Sequence, residues 1–515
     1  MNIYWLNPPI STRAIYCDLA WMNFSTLLPE HNWITPIINW DNFKSIEDVI
    51  ADIKKQPIDI FMMSNYTWNH VLCSKVASIV KQTYPNVIII SGGPNQFEVP
   101  DYVDYMCYAM GHGEIFLVEL FKQLKKHGKV IVPDFIPYLQ TKTFRSSITK
   151  GNYTFPEVSS IEYKIDYIHE VIAEGAQENK QVIVLYETSR GCPYSCTYCE
   201  WGAGGTSAKI SQKPIEVIFK EIEILALSGI KEIEFIDPNF GILKRDVDIV
   251  KKIAACKKQY GYPHNIMLYG LTKSSKKSKE NILDVIFEAN LMNFYFIAIQ
   301  NTNQTVLDNI KRKDINLEEN LQLAEKYKKL YGSSAKVELV MGLPGDTLEN
   351  FYSEMDLIQR IGDWYWTRNL LTLLPNTEAY TQEYRDKFKI KTIMAGTMEN
   401  EEHDITYYSN SVINQYRSSY ELVVETYTYT KEEYKEMFFM NRAQRVIGPR
   451  LNGKASVELK QWFNRIKHES WYKRIDDFLS MLVNGQLFET EITVIDGKTI
   501  EEIIIENSNE EFMGL

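Results

Sequence analysis

The sequence has no run of 18 apolar residues among its 515 positions, and we therefore expect no transmembrane helix. It begins MNIYWLNPPI, without the basic segment and long apolar core of a signal peptide, which predicts a cytoplasmic protein. Its seven cysteines are too few for a disulfide framework. The 56 basic residues are outnumbered by 67 acidic ones, and the resulting formal net charge of −11 argues against a nucleic-acid partner. The rest is ordinary globular composition, 45% hydrophobic, which is enough for several cores.

Short apolar runs alternate with helical patterns over residues 1–140, which predicts a doubly wound, Rossmann-like α/β domain. Residues 141–180 show little periodicity and are interpreted as a linker. The alternation resumes over residues 181–385, where six β/α units predict a partial (β/α)6 barrel whose site lies at the carboxyl ends of the strands. Residues 386–515 are predicted to be mainly helical, a cap with a β-hairpin at Phe488–Glu506. The predicted barrel strands are Val182–Glu187, Glu232–Ile236, Ile266–Tyr269, Phe294–Ile299, Lys336–Met341 and Asn369–Leu374.

Three cysteines, Cys192, Cys196 and Cys199, directly follow the first predicted barrel strand with the spacing C-x3-C-x2-C. Three thiolates on one short loop can hold three corners of a cubic [4Fe–4S] cluster, and the fourth iron then stays open to another ligand. A zinc site would need a fourth protein ligand. His169 and His264 are the candidates, but neither is close in sequence. We therefore interpret the three cysteines as metal ligands and as the catalytic centre.

With Tyr198 just before its third cysteine, this motif resembles that of the radical S-adenosylmethionine superfamily. The resemblance implies that S-adenosylmethionine binds the open iron and is cleaved to a 5′-deoxyadenosyl radical, which abstracts hydrogen. It extends along all six predicted units, although the Gly-Gly-Glu that is frequent in the family after the second strand is absent. Arg190 either pairs with a carboxylate of the fold or shapes the cluster potential. The positions that the resemblance implies for cofactor binding are Tyr198, Asp237, Asn239, Tyr269, Thr272, Gln300, Glu338, Met341 and Gly342.

The loops that follow the strands of the amino-terminal domain resemble those of a cobalamin-binding domain, which precedes the barrel in one large subclass (class B) of these enzymes. Glycines there allow backbone amides to approach a large flat ligand closely. The Asp-x-His-x-x-Gly motif is absent, so no histidine ligand is expected below the cobalt, and an empty flavodoxin-like pocket is the alternative. The implied residues are Asn7, Pro8, Ser64, Tyr66, Trp68, Gly92, Gly93, Pro94, Gly111, Gly113 and Glu114.

Together, the two resemblances imply a cobalamin-dependent methyltransferase. It would act on an unactivated carbon of a peptide or natural-product intermediate, as a monomer without integral membrane association, with an electron donor such as flavodoxin or ferredoxin. The alternatives are a radical peptide epimerase and a cobalamin-dependent rearrangement without methyl transfer. An epimerase commonly needs a cysteine as hydrogen donor, and Cys256 lies on a predicted outer helix. A non-catalytic binding or redox-sensing module is a third possibility, against which the intact cysteine motif argues.

Overall fold

The computed structural model describes most of the first 447 residues and a few later positions. Its contacts divide the chain into two compact units. The first contains Met1–Tyr194, Cys199–Met292 and Met398–Ser418, and the second contains Ser195–Tyr198, Asn293–Thr397 and Ser419–Leu515. The described residues are 1–9, 12–95, 98–108, 113–147, 154–203, 210–313, 316–360, 365–395, 412–415, 420–447, 461, 463–464, 494–495 and 498–499.

The amino-terminal region alternates strands and helices, as predicted. In chain order its elements are β1 (Asn2–Leu6), β2 (Ala14–Cys17), α1 (Leu19–Leu27), β3 (Asn32–Trp33), α2 (Ile46–Ile53), β4 (Ile60–Ser64), α3 (His70–Thr83), β5 (Ile88–Gly92), β6 (Tyr105–Cys107), α4 (Gly113–His127) and β7 (Leu139–Gln140). Six of the strands form one sheet in the order β3-β1-β4-β5-β6-β7, parallel except for the last pair. Strand β4 is buried at every position, as expected for a strand covered by helices on both faces.

Helix α2 illustrates how the sequence sets these elements. The Ser45 hydroxyl accepts from the Asp48 amide, and the Asp48 carboxylate accepts from the Ser45 amide, so a capping box starts the helix. Ile46, Val49 and Ile53 then recur at helical spacing and are buried. The helix packs into the main core of this region, which includes Trp40.

The next region supplies the first three predicted barrel strands. Its elements are α5 (Ser160–Tyr163), α6 (Ile165–Gln177), β8 (Gln181–Tyr186), β9 (Ser189–Arg190), α7 (Glu200–Ala203), β10 (Ser211–Gln212), α8 (Ile215–Leu227), β11 (Glu232–Phe235), α9 (Asp246–Tyr260), β12 (Asn265–Leu268) and α10 (Lys276–Glu288). Strands β8, β11 and β12 are parallel neighbours. Two features were not predicted: α6 lies in the segment interpreted as a linker, and β2 pairs in parallel with β8 rather than with the amino-terminal sheet.

The second unit supplies the other three predicted barrel strands. Its first elements are β13 (Phe294–Gln300), α11 (Gln304–Asn309), α12 (Leu317–Tyr331), β14 (Ser334–Met341), α13 (Leu348–Arg360), β15 (Tyr365–Leu370), β16 (Thr372–Leu373), α14 (Gln382–Phe388) and β17 (Lys391–Ala395). The next helix along the chain, α15 (Val412–Gln415), belongs to the first unit. The second unit then continues with β18 (Tyr420–Glu425), α16 (Lys431–Ile447), β19 (Val494–Ile495) and β20 (Lys498–Thr499). Strands β13, β14 and β15 form a parallel sheet. The α/β fold class with parallel sheets is confirmed.

The carboxyl-terminal region differs in part from the prediction of a mainly helical cap. Its described portion contains α16, but also β17 and β18, which join β16 in an antiparallel sheet that was not predicted. Strands β19 and β20 pair antiparallel, in agreement with the predicted hairpin. Much of the remaining region, including part of that hairpin, lies outside the described residues.

Helix length bears on membrane association. The 17 residues of α16 correspond to about 26 Å at 1.5 Å per residue, less than the roughly 30 Å of a bilayer core. Within the part of the chain that the structure describes, no helix combines the length and the apolar character needed to span a membrane.

Candidate functional site

The cysteine loop begins where β9 pairs with β10, Arg190 lying opposite Ser211. Gly191 has a φ of +102°, a left-handed conformation that favours glycine and turns the chain into the loop. All seven cysteines lie among the described residues, and none forms a disulfide. Cys192 and Cys199 are partly exposed and Cys196 is buried.

Cys192 lies in the first unit, beside the end of β11. Its Sγ accepts a hydrogen bond from Asn239 Nδ2 at 3.0 Å. Gly270 packs against the same segment, because a Cβ at that position would lie 2.7 Å from the Cα of Asn239. The loop after β12 therefore holds Asn239 in place and leaves its side chain directed at a predicted cluster ligand.

Cys196 lies in the second unit, in a segment anchored by Thr197. The Thr197 amide donates to the Ile310 carbonyl at 3.0 Å, and the Thr197 carbonyl accepts from the Ala379 amide at 2.8 Å. The Thr197 hydroxyl is 2.9 Å from the Tyr384 hydroxyl. The middle of the cysteine loop is thus fixed by three hydrogen bonds.

Arg312 is a site residue that the sequence did not reveal. Its Nη1 lies 3.9 Å from Cys196 Sγ and 3.3 Å from the Tyr198 hydroxyl, and its Nη2 donates to the Ala298 carbonyl. Its Nε is buried and has no hydrogen-bond partner among the described residues. A guanidinium beside a cluster cysteine can bind the carboxylate of a methionine-like ligand. Arg312 follows a short helix and belongs to no motif, so nothing in the sequence marked it.

The donor set fits an iron–sulfur cluster better than a zinc ion. Both candidate fourth ligands are exposed: His169 lies on α6, and His264 stacks on Tyr262 just before β12 begins. This is the amino end of the strand, whereas the cysteine loop follows the carboxyl end of parallel β8. Among the described residues, no group of three His, Cys, Asp or Glu side chains converges on one metal-ion position. A [4Fe–4S] cluster does not require its ligands to converge on one position, because each cysteine binds a separate iron.

Asp237, a predicted cofactor ligand, is hydrogen-bonded to other residues of the protein. Its carboxylate accepts from the Thr188 amide at 3.0 Å, the Thr188 hydroxyl at 2.7 Å and the Ser189 hydroxyl at 2.5 Å. Burial raises the pKa of Asp237 to about 6, although these hydrogen bonds oppose the shift. Asp237 therefore fastens the end of β11 to the chain just before the cysteine loop, and its proposed contact with cofactor stays a prediction.

The other predicted residues of the first unit lie after β12. Tyr269 is 38% exposed and hydrogen-bonds Glu234, whose pKa is raised by burial. Thr272 is buried in the short 3-10 helix Leu271–Lys273. The Lys273 ammonium lies 3.4 Å from the centre of the Tyr194 ring, so this turn reaches the cysteine loop.

In the second unit, the predicted residues lie near the carboxyl ends of β13 and β14. Gln300 is buried with a φ of +71°, an uncommon conformation for a residue with a side chain, and the register shifts between Ala298 and Gln300. Glu338 has a pKa raised by burial, while Arg312 acts in the opposite direction. Met341 is buried. The Gly342 carbonyl accepts from the Tyr429 hydroxyl at 2.8 Å.

The turn after β14 carries a buried acidic pair, Asp346 and Glu354. Burial, and after it the nearby charge of Glu354, raise the pKa of Asp346 to about 7. Glu354 accepts from the Thr302 amide at 2.8 Å and from Arg368 Nη2 at 3.2 Å. One cation among two buried carboxylates favours retention of a proton on the pair.

We therefore expect an Asp346→Asn substitution to increase the stability of the folded protein, relative to the wild type, most at high pH. The pKa of Asp346 is near 7 in the folded protein and near 4 when unfolded, so the wild type loses stability as pH rises through that window. We expect the free energy of unfolding of the variant, relative to wild type, to improve by about 1–3 kcal/mol between pH 5 and pH 8. Urea unfolding at both values measures it. The exposed Asp308→Asn is the control, and equal pH dependence in all three proteins would contradict the prediction.

The loops of the amino-terminal sheet meet at its carboxyl edge. The Asn65 amide donates to the Gly92 carbonyl at 2.8 Å, and the Asn95 amide to the Asn65 carbonyl at 3.0 Å. Asn69 Nδ2 donates to the Pro8 carbonyl at 3.1 Å. The loops after β1, β4 and β5 thus form one hydrogen-bonded rim, and a Cβ on Gly93 would lie 2.4 Å from the Asn65 oxygen.

Several side chains on this rim contact other side chains of the protein. Tyr66 and Trp68 stack with ring centres 4.4 Å apart. Asn7 donates to Asp18, and Ser64 is buried at the end of β4. The aromatic pair and the glycine edge suit a flat ligand. Gly111 lies outside the described residues, and Pro94 and Gly113 lie at the rim and at the start of α4.

Glu114, whose binding of cofactor stays a prediction, takes part in a buried ion-pair network. It receives Arg190 in a bidentate pair of 2.9 and 3.1 Å, and Arg190 also donates to Glu187 at 2.8 and 2.6 Å. All three side chains are at least 87% buried. The interpretation that Arg190 pairs with carboxylates of the fold is confirmed, and the network joins α4 to the residue just before the cysteine loop.

Glu200, directly after Cys199, was also missed. Burial raises its pKa to about 7, and its Oε1 has no hydrogen-bond partner among the described residues. Burial raises the pKa of Tyr66 as well, with Glu200 adding to that shift and Arg190 opposing it. Residues flanking the cysteine loop therefore lie within electrostatic reach of the amino-terminal rim.

Residues 186–358 match the family model described as the radical SAM superfamily. The match begins at the last residue of β8 and ends within α13, so it covers the cysteine loop and the strand ends described above. This segment is a radical S-adenosylmethionine domain, which implies a [4Fe–4S] cluster and S-adenosylmethionine as cofactors.

Among curated relatives, the cobalamin-dependent radical SAM methyltransferase TokK of Streptomyces tokunonensis is 28% identical over 65% of this chain and 50% of its own length. The 2-(S-pantetheinyl)-carbapenam-3-carboxylate methyltransferase of Streptantibioticus cattleyicolor is 26% identical over 82% of this chain and 61% of its own length. The chain thus spans only half to three fifths of these relatives. The predicted resemblance to cobalamin-dependent radical S-adenosylmethionine enzymes is confirmed.

A solved structure shares the fold. The radical S-adenosylmethionine methyltransferase TsrM of Kitasatospora setae, bound to tryptophan and a SAM analogue, superposes with a TM-score of 0.61. The superposition covers 85% of this chain and 88% of TsrM, at 14% identity. A second TsrM structure contains cobalamin and a [4Fe–4S] cluster. At this identity the likeness concerns the fold alone.

Proposed function

We propose that this protein is a cobalamin-dependent radical S-adenosylmethionine methyltransferase that methylates an unactivated carbon of a natural-product intermediate or a peptide. The observation that carries the proposal is the proximity of two features within the first unit. Arg190, two residues before Cys192, forms a bidentate ion pair of 2.9 and 3.1 Å with Glu114, a predicted corrin-binding residue on α4. A cluster and a corrin bound to these elements would be neighbours.

The cofactors would supply the methyl group and the radical, and the chain would position them. Cys192, Cys196 and Cys199 would hold the cluster. The guanidinium of Arg312, whose Nε has no hydrogen-bond partner among the described residues, would orient a ligand carboxylate near Cys196. The rim around Tyr66 and Gly93 would support the flat face of the corrin. No histidine ligand to the cobalt is expected; His70, the first residue of α3, has a pKa lowered by burial.

The names of two relatives and the chemistry of the reaction support a substrate class and the partners. The names of TokK and of the carbapenam enzyme refer to methyl transfer, and one of them names a small sulfur-containing intermediate. We therefore favour a small natural-product intermediate over a peptide as the substrate class. Reduction of the cluster requires a one-electron donor such as flavodoxin or ferredoxin, and we propose a cytoplasmic monomer.

Anaerobic reconstitution tests the proposal. Protein loaded with iron and sulfide is incubated with hydroxocobalamin and desalted, and we expect about one corrin per chain in the absorption spectrum. With a reductant and S-adenosylmethionine, 5′-deoxyadenosine should form. With carbapenam-type or other small candidates, trideuteromethyl S-adenosylmethionine should add a labelled methyl group.

Two results would overturn this function. Failure of cluster-loaded protein to retain corrin would remove the cobalamin requirement. Incorporation of deuterium from solvent, without a gain of methyl mass, would instead indicate an epimerase. The structure gives the epimerase little support at Cys256, whose thiol is buried in α9 and has a pKa raised by that burial.

A further inference from the structure

The amide of Asn239 makes a contact with one cluster cysteine that no motif describes. Asn239 Nδ2 lies 3.0 Å from Cys192 Sγ, within hydrogen-bond distance. The side chain is nine-tenths buried, so water competes little for the sulfur at this point. Arg312 approaches the sulfur of Cys196 only at 3.9 Å, the outer limit for such a contact.

The neighbouring backbone positions the side-chain amide of Asn239 before any cluster binds. Two residues before Asn239, the Asp237 carboxylate is fastened to Thr188 and Ser189. On its other side, Gly270 presses against the Cα of Asn239, where no side chain fits. Because both flanks are fixed, the amide needs no rearrangement to meet a thiolate.

We infer that Asn239 sets the reduction potential of the cluster through this hydrogen bond, acting as a positioning residue on Cys192. The inference rests on the cluster of the proposed function. Reduction adds one electron and therefore negative charge to the cluster, part of which the cysteine sulfurs carry. An N–H donor stabilises that charge, so hydrogen bonds to the sulfurs raise the potential of iron–sulfur clusters. Loss of the donor should make the cluster harder to reduce.

The test compares Asn239→Leu, which keeps the size but removes the donor, with wild type. Both proteins are reconstituted anaerobically without S-adenosylmethionine, and the reduced cluster is followed by electron paramagnetic resonance at set potentials. We expect about a tenfold fall in the ratio of reduced to oxidised cluster at a fixed potential, which equals about 59 mV for a one-electron couple. Asn265→Leu, at the exposed amino end of β12, should leave the ratio unchanged.

Asn239→Asp provides a second variant if the leucine protein folds poorly. It keeps the shape, removes the N–H donor and adds a negative charge, so its potential should fall at least as far. A merely structural role would lower the iron content and leave the potential of the remaining cluster at the wild-type value, and that result would overturn the inference. Absence of any cluster in the wild type would instead defeat the proposed function, so the two failures are distinguishable.

Discussion

A Cys196→Ala variant is expected to assemble no [4Fe–4S] cluster and to cleave no S-adenosylmethionine above background. Cys196 is buried and is one of only three thiols on the loop, so its loss leaves two anchors for a cube that needs three. Enzymes accelerate reactions by roughly a millionfold or more, and removal of the reacting centre forfeits that gain. Iron and sulfide analysis and the yield of 5′-deoxyadenosine measure the effect.

Cys256→Ala is the matched control for this substitution. Cys256 is equally buried but lies in α9, away from the loop, so cluster content and cleavage should stay close to the wild type. Wild-type iron content in Cys196→Ala would show that the loop does not hold the cluster as we propose.

Replacement of Arg190 by methionine is expected to cost about 3–5 kcal/mol of folding stability. The substitution keeps much of the length of the side chain but leaves the carboxylates of Glu114 and Glu187 buried without their cation. Urea unfolding of the apoprotein measures the loss. Lys55→Met is the contrast, because Lys55 is 71% exposed and pairs with Asp52 at the surface, where about 0–1 kcal/mol is typical.

A triple variant separates charge from packing at this network. With Glu114→Gln and Glu187→Gln added to Arg190→Met, no buried charge is left unpaired, and most of the lost stability should return. If the triple variant is as unstable as the single one, the packing of Arg190 over the Phe155 ring, 5.6 Å away, is the main contribution instead.

Local patterns predicted the strands well where apolar residues were contiguous. Phe294–Ile299 was found almost to the residue, because a strand buried on a helix-covered sheet needs a short, unbroken apolar run. Lys336–Met341 was found with a start two residues late, although Lys336 and Glu338 interrupt its apolar residues. Helix α6 was missed although Ile168 and Val171 are buried at helical spacing, so its signal was present in the sequence. Strand β2 carried no such signal, since four residues can be assigned only once their distant partner β8 is known.

The site shows the same division between local and distant information. The three cysteines were evident from spacing alone. A carboxylate after a strand looks the same whether it binds a ligand or fastens a backbone, so the sequence could not show that Asp237 holds Thr188 and Ser189. The contacts of Arg312 with Tyr198 and of Asn239 with Cys192 join residues separated by 114 and 47 positions, and only the fold brings them together.

Strand β2, Ala14–Cys17, lies in the same sheet as β8 and pairs with it in parallel. Without it, β8 would become an outer strand whose main-chain N–H and C=O groups invite pairing with other molecules. We therefore expect a fragment that starts at residue 141 to aggregate through this unpaired edge strand. A cut within residues 141–180 would separate β8 from its neighbour Ala14–Cys17 and leave that edge of the sheet unpaired.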